Sequence, residues 1–182
     1  MNDAKGILPK FKYHTDPLKT GSIELKETDC PVCGKHSNYC YEGPFYSIET
    51  VEGICPNCIA DGSAAKKYNG EFTTTDECDV DNDEYKDELI HRTPSFYSVQ
   101  QDHWMSHCGD YCEFIAKIGQ VSNIGINEFL KNIISEDIEE VTKLLDIKKE
   151  ELEEFMKKNG YIEGYLFKCQ KCGKMRLYVD FE

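Results

Sequence analysis

Several features are scarce or missing in this sequence of 182 residues, and each absence narrows the possible functions. No run of about 20 apolar residues occurs, so a membrane-spanning helix is not expected. Residues 1–10 mix charged and polar side chains and contain no apolar stretch of the kind that a secretory signal needs. We therefore expect a soluble, cytoplasmic protein in a compartment where thiols stay reduced.

Positive charge is also scarce. The chain has 21 Lys and Arg against 34 Asp and Glu, which gives a formal net charge of −13. Proteins that bind nucleic acid without regard to its sequence need Lys and Arg to displace counterions from phosphates, so we do not expect a nucleic-acid partner. An acidic surface instead favours a basic protein partner.

The sequence contains no G-x-S-x-G nucleophile elbow, phosphate-binding loop or dinucleotide fingerprint. The acidic segment 79–90 begins like a calcium loop, but Glu84 stands where such a loop needs Gly, and Ile90 stands where it needs Glu. We therefore interpret this segment as a solvated acidic stretch. The sequence thus offers little support for the common enzyme classes.

One polar segment around the single Trp of the chain could still form an enzymatic pocket. Its candidate side chains are Gln101, Asp102, His103 and His107. Two of them, His103 and His107, have the four-residue spacing of metal ligands on a helix face, but no Glu lies between them as in H-E-x-x-H. A metal-dependent or pocket-based enzyme is therefore the alternative hypothesis, and a structural or surface role for these histidines is favoured.

Cysteine is abundant by contrast, with ten in the chain. Two C-x-x-C pairs, Cys30 with Cys33 and Cys55 with Cys58, are separated by 21 residues. A two-residue spacer lets a tight turn direct both sulfurs at one ion, and two such turns complete the tetrahedral thiolate shell that Zn²⁺ prefers. A redox-active C-x-x-C is the alternative, which the presence of two pairs at zinc-like spacing disfavours.

A third pair, Cys169 with Cys172, needs two further ligands to close a zinc site. Cys108 and Cys112 are the candidates, because a four-residue spacing on a helix would place both thiols on one face. His107 is the competing ligand, since it is adjacent to Cys108. We expect two zinc ions per chain, and we interpret the remaining Cys40 and Cys78 as small buried side chains or free thiols.

These patterns predict an α+β fold with three parts. Residues 1–75 should form a treble-clef or zinc-ribbon-like zinc unit, and residues 76–182 a helical middle followed by a C-terminal zinc-knuckle hairpin, packed with the first part as one compact domain. Within the middle, residues 96–118 look partly helical, and residues 126–158 have the apolar spacing of two amphipathic helices, the second beginning near Ser135. The tail alternates apolar and polar residues from Tyr165 to Phe181, which favours a hairpin.

Ordered motifs along nearly the whole chain resemble the CbrC family of bacterial proteins. The resemblance rests on residues 8–14, Asp16-Pro17, Thr20-Gly21, 30–34, 43–46, 52–65, Gln100-Gln101, Trp104, 107–110, Cys112, 165–169, Cys172-Gly173 and 178–180. It implies a zinc-stabilised interaction protein or a protein associated with stress, since some members of that family are associated with tolerance to a nuclease colicin. Asn57 and Val99 depart from the Trp that the family pattern leads us to expect, which weakens any inference of an aromatic contact surface but leaves the cysteines unaffected.

Overall fold

The structure is a computed structural model that describes residues 8–75, 80–100, 102–118, 131–152 and 162–181. The chain divides into two compact units: an N-terminal unit, Met1–Asp76 with Asn82–Tyr97, and a C-terminal unit, Glu77–Asp81 with Ser98–Glu182. The N-terminal unit therefore includes residues 82–97, which the predicted division assigned to the second part. The packing of both parts as one domain remains a prediction.

Short helices and small antiparallel sheets alternate in both units, so the fold is α+β as predicted. The N-terminal unit contains α1 (Pro17–Thr20), β1 (Ile23–Glu24), β2 (Thr28–Asp29), β3 (His36–Ser37), β4 (Cys40–Tyr41), α2 (Pro56–Ala60), α3 (Ser63–Tyr68) and α4 (Asp83–Arg92). The C-terminal unit contains β5 (Ser106–His107), β6 (Asp110–Tyr111), β7 (Glu113–Lys117), α5 (Ser135–Leu145), a 3₁₀ turn (Lys149–Glu151), β8 (Ile162–Lys168) and β9 (Met175–Phe181).

The N-terminal unit has two pairs of very short strands, β1 with β4 and β2 with β3. Strands this short cannot bury a sizeable core, and the thiols of Cys30, Cys55 and Cys58 lie in the same buried cluster as aromatic and aliphatic side chains such as Phe72 and Ile59. The core of this unit is therefore built around its cysteines.

Helix α4 covers most of the acidic segment 79–90. From the sequence, this segment is interpreted as a solvated stretch, and no helix is predicted there. The side chain of Asn82 caps α4 by accepting a hydrogen bond from the Tyr85 backbone N–H at 3.0 Å. Asp83 and Glu84 in the first turn, and the basic residues of the last turn, complement the helix dipole. Leu89 is buried, so one residue of the polar stretch anchors the helix.

The middle of the chain is less helical than predicted. Residues 106–117 form strands rather than a helix, because Cys108 and Gly109 both have positive φ angles, 56° and 69°, in the two-residue turn between β5 and β6. Two consecutive residues of this kind are typical of a type I′ hairpin turn, and they cannot occur in a right-handed helix. Residues 131–134 are not helical either, and the rest of the first predicted amphipathic helix lies outside the described residues.

The second predicted amphipathic helix is present as α5. It begins at Ser135, close to the predicted start, but Ser135 is not the expected cap, because Ile134 is the N-cap residue and no side chain caps the helix. Ile138 and Val141 are buried, whereas Leu144 of the predicted stripe is exposed. The helix ends at Leu145 because Asp146 adopts the left-handed conformation at φ 52°. The predicted continuation at residues 153–158 lies outside the described residues.

The predicted C-terminal hairpin is confirmed as β8 and β9, which pair along their whole length. Strand β7 pairs with the other edge of β8, and an irregularity between Phe114 and Ala116 places these residues opposite Phe167 and Leu166 respectively. Since paired residues share a face, the bulge puts Phe114 on an aromatic face with Trp104 and Phe167, and Ala116 on an aliphatic face with Leu166. Helix α5 covers the aliphatic face through Ile138 and Val141, which belong to the same cluster.

The outer edge of β9 is occupied at its N-terminal end. The Met175 N–H donates to the Asn132 carbonyl at 3.0 Å, and the Leu177 N–H donates to Oδ2 of Asp137 at 2.9 Å. These contacts block pairing with a further strand at the start of β9, over residues 175–177. Among the described residues, every helix is too short or too polar to cross a membrane.

Candidate metal centres

Two groups of side chains bring metal-binding atoms within 4.8 Å of one another in the part of the chain that the structure describes. The first metal group consists of Cys30, Cys33, Cys55 and Cys58, and lies in the N-terminal unit. The second metal group consists of His107, Cys108, Cys169 and Cys172, and lies in the C-terminal unit. Each group offers four ligands, so each could hold one metal ion.

The first metal group is assembled from a hairpin turn and the start of a helix. Cys30 and Cys33 lie in the turn between β2 and β3, where the Gly34 N–H donates to the Cys30 carbonyl at 2.8 Å and the Cys30 N–H donates to the Lys35 carbonyl at 2.9 Å. Cys55 immediately precedes α2, and Cys58 lies within it. The sequence folds this way because Gly34 tolerates its φ of 68° and Pro56 favours the first turn of a helix.

The sulfur separations in the first metal group suit a tetrahedral ion. The Sγ atoms of Cys30 and Cys58 are 3.8 Å apart, and those of Cys33 and Cys55 are 4.0 Å apart. A tetrahedron with Zn–S bonds of about 2.3 Å has sulfur atoms about 3.8 Å apart. These residues therefore fit Zn²⁺ in both donor chemistry and distance.

Electrostatics around the first metal group distinguish its thiols. Burial acts to raise the pKa of Cys30, but hydrogen bonds from the backbone N–H groups of Cys33 and Cys55 outweigh it and lower that pKa to about 7. Burial raises the pKa values of Cys55 and Cys58. Nζ of Lys67 donates to the Pro31 carbonyl at 2.5 Å, which places a positive charge beside the turn that carries Cys30 and Cys33.

The second metal group uses the same kind of turn for its cysteine pair. In the loop between β8 and β9, the Gly173 N–H donates to the Cys169 carbonyl at 2.9 Å and the Cys169 N–H donates to the Lys174 carbonyl at 2.8 Å. This pattern repeats, position by position, the pattern of Cys30, Gly34 and Lys35. The two knuckles are therefore the same local structure, and the groups differ in what completes them.

The β5–β6 hairpin completes the second metal group with His107 and Cys108. Nδ1 of His107 lies 3.2 Å from Sγ of Cys108 and 3.3 Å from Sγ of Cys172. Zinc bonds of about 2.0–2.1 Å to nitrogen and 2.3 Å to sulfur would place these atoms roughly 3.5 Å apart, so the donor set fits Zn²⁺ with a small adjustment. Nζ of Lys171 donates to the Cys108 carbonyl at 3.1 Å, which ties the knuckle to the hairpin.

Cys112 does not lie in the second metal group, although the sequence analysis predicted it as a ligand. In a helix it would share a face with Cys108, but the hairpin turn at Cys108 carries the chain away from the tip. Cys112 is fully buried, its N–H donates to the Met105 carbonyl at 2.9 Å, and its carbonyl accepts from Nε1 of Trp104 at 2.8 Å. His107, the competing ligand, takes its place in the group.

The remaining predicted positions are distributed as follows. The structure brings seven of the eight proposed cysteine ligands into the two groups, with Cys112 as the exception. Cys40 is buried outside both groups, and Cys78 lies outside the described residues. Cys40 has the burial predicted for it, and this burial raises the pKa of its thiol to about 11.

The described side chains of the polar segment proposed as an enzymatic pocket have different surroundings. Asp102 is buried, His103 stacks against Tyr178 with ring centroids 4.8 Å apart, and His107 belongs to the second metal group. Gln101 lies outside the described residues. An enzymatic pocket formed by this segment therefore stays a prediction, and His107 is the one of its described candidates that lies in a metal group.

An ionic clamp that the sequence analysis missed supports the second metal group. Buried Asp137 accepts two hydrogen bonds from the Arg176 guanidinium, at 2.7 and 2.9 Å, and Arg176 also donates to the Ser106 carbonyl. Arg176 thereby joins α5 and β9 to the strand that carries His107. The signal available in the sequence was weak, because Asp137 and Arg176 are distant in the chain and resemble ordinary surface charges.

Comparisons with known proteins give matches over nearly the whole chain. The chain matches the model of an uncharacterised protein family, UPF0167, over residues 8–181. It is 36% identical over 180 residues to a UPF0167 protein of Mycobacterium bovis, covering 96% of this chain and 94% of the relative. It is 33% identical over 188 residues to a UPF0167 protein of Pseudomonas aeruginosa, covering 96% and 97%. No solved structure matches the chain. The chain therefore belongs to the UPF0167 family.

Proposed function

We propose that this chain is a cytoplasmic, zinc-stabilised protein that acts by binding a partner, and that both of its metal ions are structural. The observation that carries the proposal is that each metal group supplies four protein ligands. A tetrahedral zinc ion with four protein ligands has no position for an activated water, so it contributes folding free energy instead of catalysis. In small zinc-finger peptides this contribution is about 10–16 kcal/mol.

The finer architectural prediction is part of the same proposal. A knuckle on a short hairpin, followed by a second cysteine pair at the start of a helix, supports a treble-clef-like zinc unit in the N-terminal half. The resemblance to CbrC proteins would place the chain among proteins associated with stress or colicin tolerance. Zinc, rather than a redox disulfide, is favoured because each knuckle has its partner ligands within reach in the described structure.

Charge supports a basic protein as the partner. The formal net charge of −13 counts every Cys as neutral. A four-thiolate zinc site carries about −2 and a three-thiolate, one-histidine site about −1, so the zinc-loaded protein would be still more acidic. Ile48, which is 98% exposed, offers an apolar contact in a segment whose nearest charged neighbours are Glu49 and Glu52. Association with such a partner should weaken steeply as ionic strength rises.

Metal analysis of protein purified without chelator tests the structural part of the proposal. We expect two zinc ions per chain, and one or none would contradict it. Cobalt substitution adds a sharper measurement, because the intensity of the thiolate-to-cobalt charge-transfer band scales with the number of thiolates. The spectrum should correspond to seven thiolates per chain, and a count of eight would restore Cys112 as a ligand.

A further inference from the structure

The two metal groups differ in how well the protein covers their cysteine residues. In the first metal group, Cys30, Cys55 and Cys58 are only 1%, 4% and 3% exposed, and Cys33 alone is exposed. In the second metal group, Cys169 is 2% exposed, whereas Cys108 and Cys172 are both exposed. A solvent-borne oxidant therefore meets a pair of thiolates at the second group and a single one at the first.

We propose that Cys108 and Cys172 form an oxidant-reactive pair, and that a peroxide converts them to a disulfide with release of the zinc ion of the second metal group alone. This inference rests on the proposed function, since it requires zinc at that group. Exposure decides access, and metal-bound thiolates keep nucleophilic character that a buried neutral thiol lacks. The sulfur atoms of the pair lie within 4.8 Å of each other, and each is close to Nδ1 of His107.

The chemical step balances with peroxide as the oxidant. One thiolate attacks a peroxide oxygen, the O–O bond breaks, and a sulfenic acid and one water form after a proton is taken from solvent. The second thiolate attacks that sulfur, the S–O bond breaks, and the disulfide and a second water form with another solvent proton. Two electrons pass from the sulfurs to the peroxide, and zinc leaves as Zn²⁺ because two of its four ligands are gone.

Contacts that do not involve the metal would hold the C-terminal unit together after zinc leaves. Lys171 donates to the Cys108 carbonyl, Arg176 donates to the Ser106 carbonyl, and the Cys112 N–H donates to the Met105 carbonyl. The first metal group differs, because three of its four cysteines are themselves part of the buried core. Oxidation should therefore be reversible at the second group, with reductant and zinc restoring the original state.

The experiment uses the full-length, zinc-loaded protein and its Cys78→Ser variant, so that a thiol outside the described residues cannot supply the result. Hydrogen peroxide is added in small molar excess, zinc release is followed with a chromogenic chelator, and free thiols are alkylated for mass spectrometry. We expect one zinc of the two to leave at least about tenfold faster than the other, together with a Cys108–Cys172 disulfide. Adding dithiothreitol and zinc should restore two zinc ions per chain.

Variants and controls separate this inference from the function on which it rests. Cys172→Ser should remove the fast phase of zinc release, whereas Cys112→Ala should keep it. Simultaneous release of both ions, faster loss from the first metal group, or a disulfide containing Cys112 or Cys169 would overturn the inference while leaving two structural zinc ions in place. Fewer than two zinc ions before peroxide is added would instead contradict the proposed function. The wild-type disulfide map decides the matter even if Cys172→Ser binds only one zinc.

Discussion

Each metal group contains a cysteine knuckle with the same hydrogen-bond pattern, but the structure around the knuckle differs between the two groups. In the N-terminal unit the knuckle is completed by a helix start, and three of four sulfurs are part of a core that has only two-residue strands around it. In the C-terminal unit it is completed by a hairpin beside a three-stranded sheet that has its own aromatic and aliphatic packing. The same knuckle can therefore be part of the hydrophobic core in one unit and lie beside an independently packed core in another.

The largest effect should come from removing a ligand where the metal is the centre of the core. Cys55→Ser should cost the N-terminal unit more than about 4 kcal/mol in the free energy of unfolding, the range typical of a lost metal site. Cys40→Ser, which introduces a hydroxyl at a buried position outside both groups, should cost about 1–3 kcal/mol. Hydrogen exchange of peptides covering residues 28–60 measures both, and equal losses would mean that the ligands are misassigned.

The next largest effect should come from the ion pair between Asp137 and Arg176, which supports the second metal group through contacts that do not involve the metal. Asp137→Asn should destabilise the C-terminal unit by about 3 kcal/mol, because it removes the charge of a buried carboxylate and leaves the partly buried Arg176 guanidinium without its charge partner. Urea unfolding can be followed by the fluorescence of Trp104, the single Trp of the chain, which lies in this unit. The control Glu140→Gln removes an exposed carboxylate from the same helix and should change stability by less than about 0.5 kcal/mol.

A smaller effect is the loss of stability that His14 causes in acid. This loss is distinct from the one caused by protonation of the cysteine ligands. Burial lowers the pKa of His14 to about 4, and its ring bridges the Pro94 carbonyl and the Thr20 hydroxyl at 2.7 Å each. The unfolded chain therefore binds a proton that the folded chain does not, so stability is fully present above about pH 6.5 and falls as the pH drops toward 4. Between pH 7 and pH 5 this loss should be about 2 kcal/mol.

Urea unfolding at stepped pH, followed by circular dichroism, checks that loss. Zinc ligands also become protonated in acid, so the informative quantity is the difference between variants. His14→Gln should have a shallower pH dependence than the wild type across this window, whereas His36→Gln, at an exposed position, should follow the wild type. Parallel curves for the two variants would exclude His14 as the source.

The last prediction concerns the metal content of the second group, and its readout is the number of bound ions. His107→Ala should lower the zinc content from two ions to one, with the Trp104 environment largely preserved, because the sheet packs independently of the metal. Cys112→Ala should retain two ions and cost about 1–2 kcal/mol for the small cavity in the core. Loss of zinc in Cys112→Ala and its retention in His107→Ala would reverse this ligand assignment.

Spacing made part of this architecture predictable. The C-x-x-C pairs, the alternation of residues 165–181 and the apolar stripe that begins at Ser135 are local signals, and each corresponds to a knuckle, hairpin or helix in the structure. Cys112 was assigned as a ligand because a four-residue spacing favours a helix face. A hairpin turn with two positive φ angles replaced that helix, and Cys108 is not a residue type that predicts such a turn.

Long-range electrostatics were not predictable in the same way. Nothing in the local sequence distinguishes Asp137 from its exposed neighbours Glu136 and Glu139, because the partner that makes it different, Arg176, is supplied by β9. Helix α4 was also missed, since its one buried apolar position, Leu89, gives a weak periodic signal in an acidic stretch. The cap at Asn82 was the local signal that could have indicated the helix start.

The separation of the ligands along the chain has a further consequence for the second metal group. An ion that joins Cys108 to Cys172 closes a loop of more than 60 residues. In the chain-entropy model, a cross-link that closes a loop of this size lowers the entropy of the unfolded chain and so stabilises the folded state by about 4 kcal/mol. A disulfide between the same two residues would close that same loop. Zinc loss by oxidation would therefore exchange one cross-link for another, and the connectivity that restricts the unfolded ensemble would survive the loss of the metal.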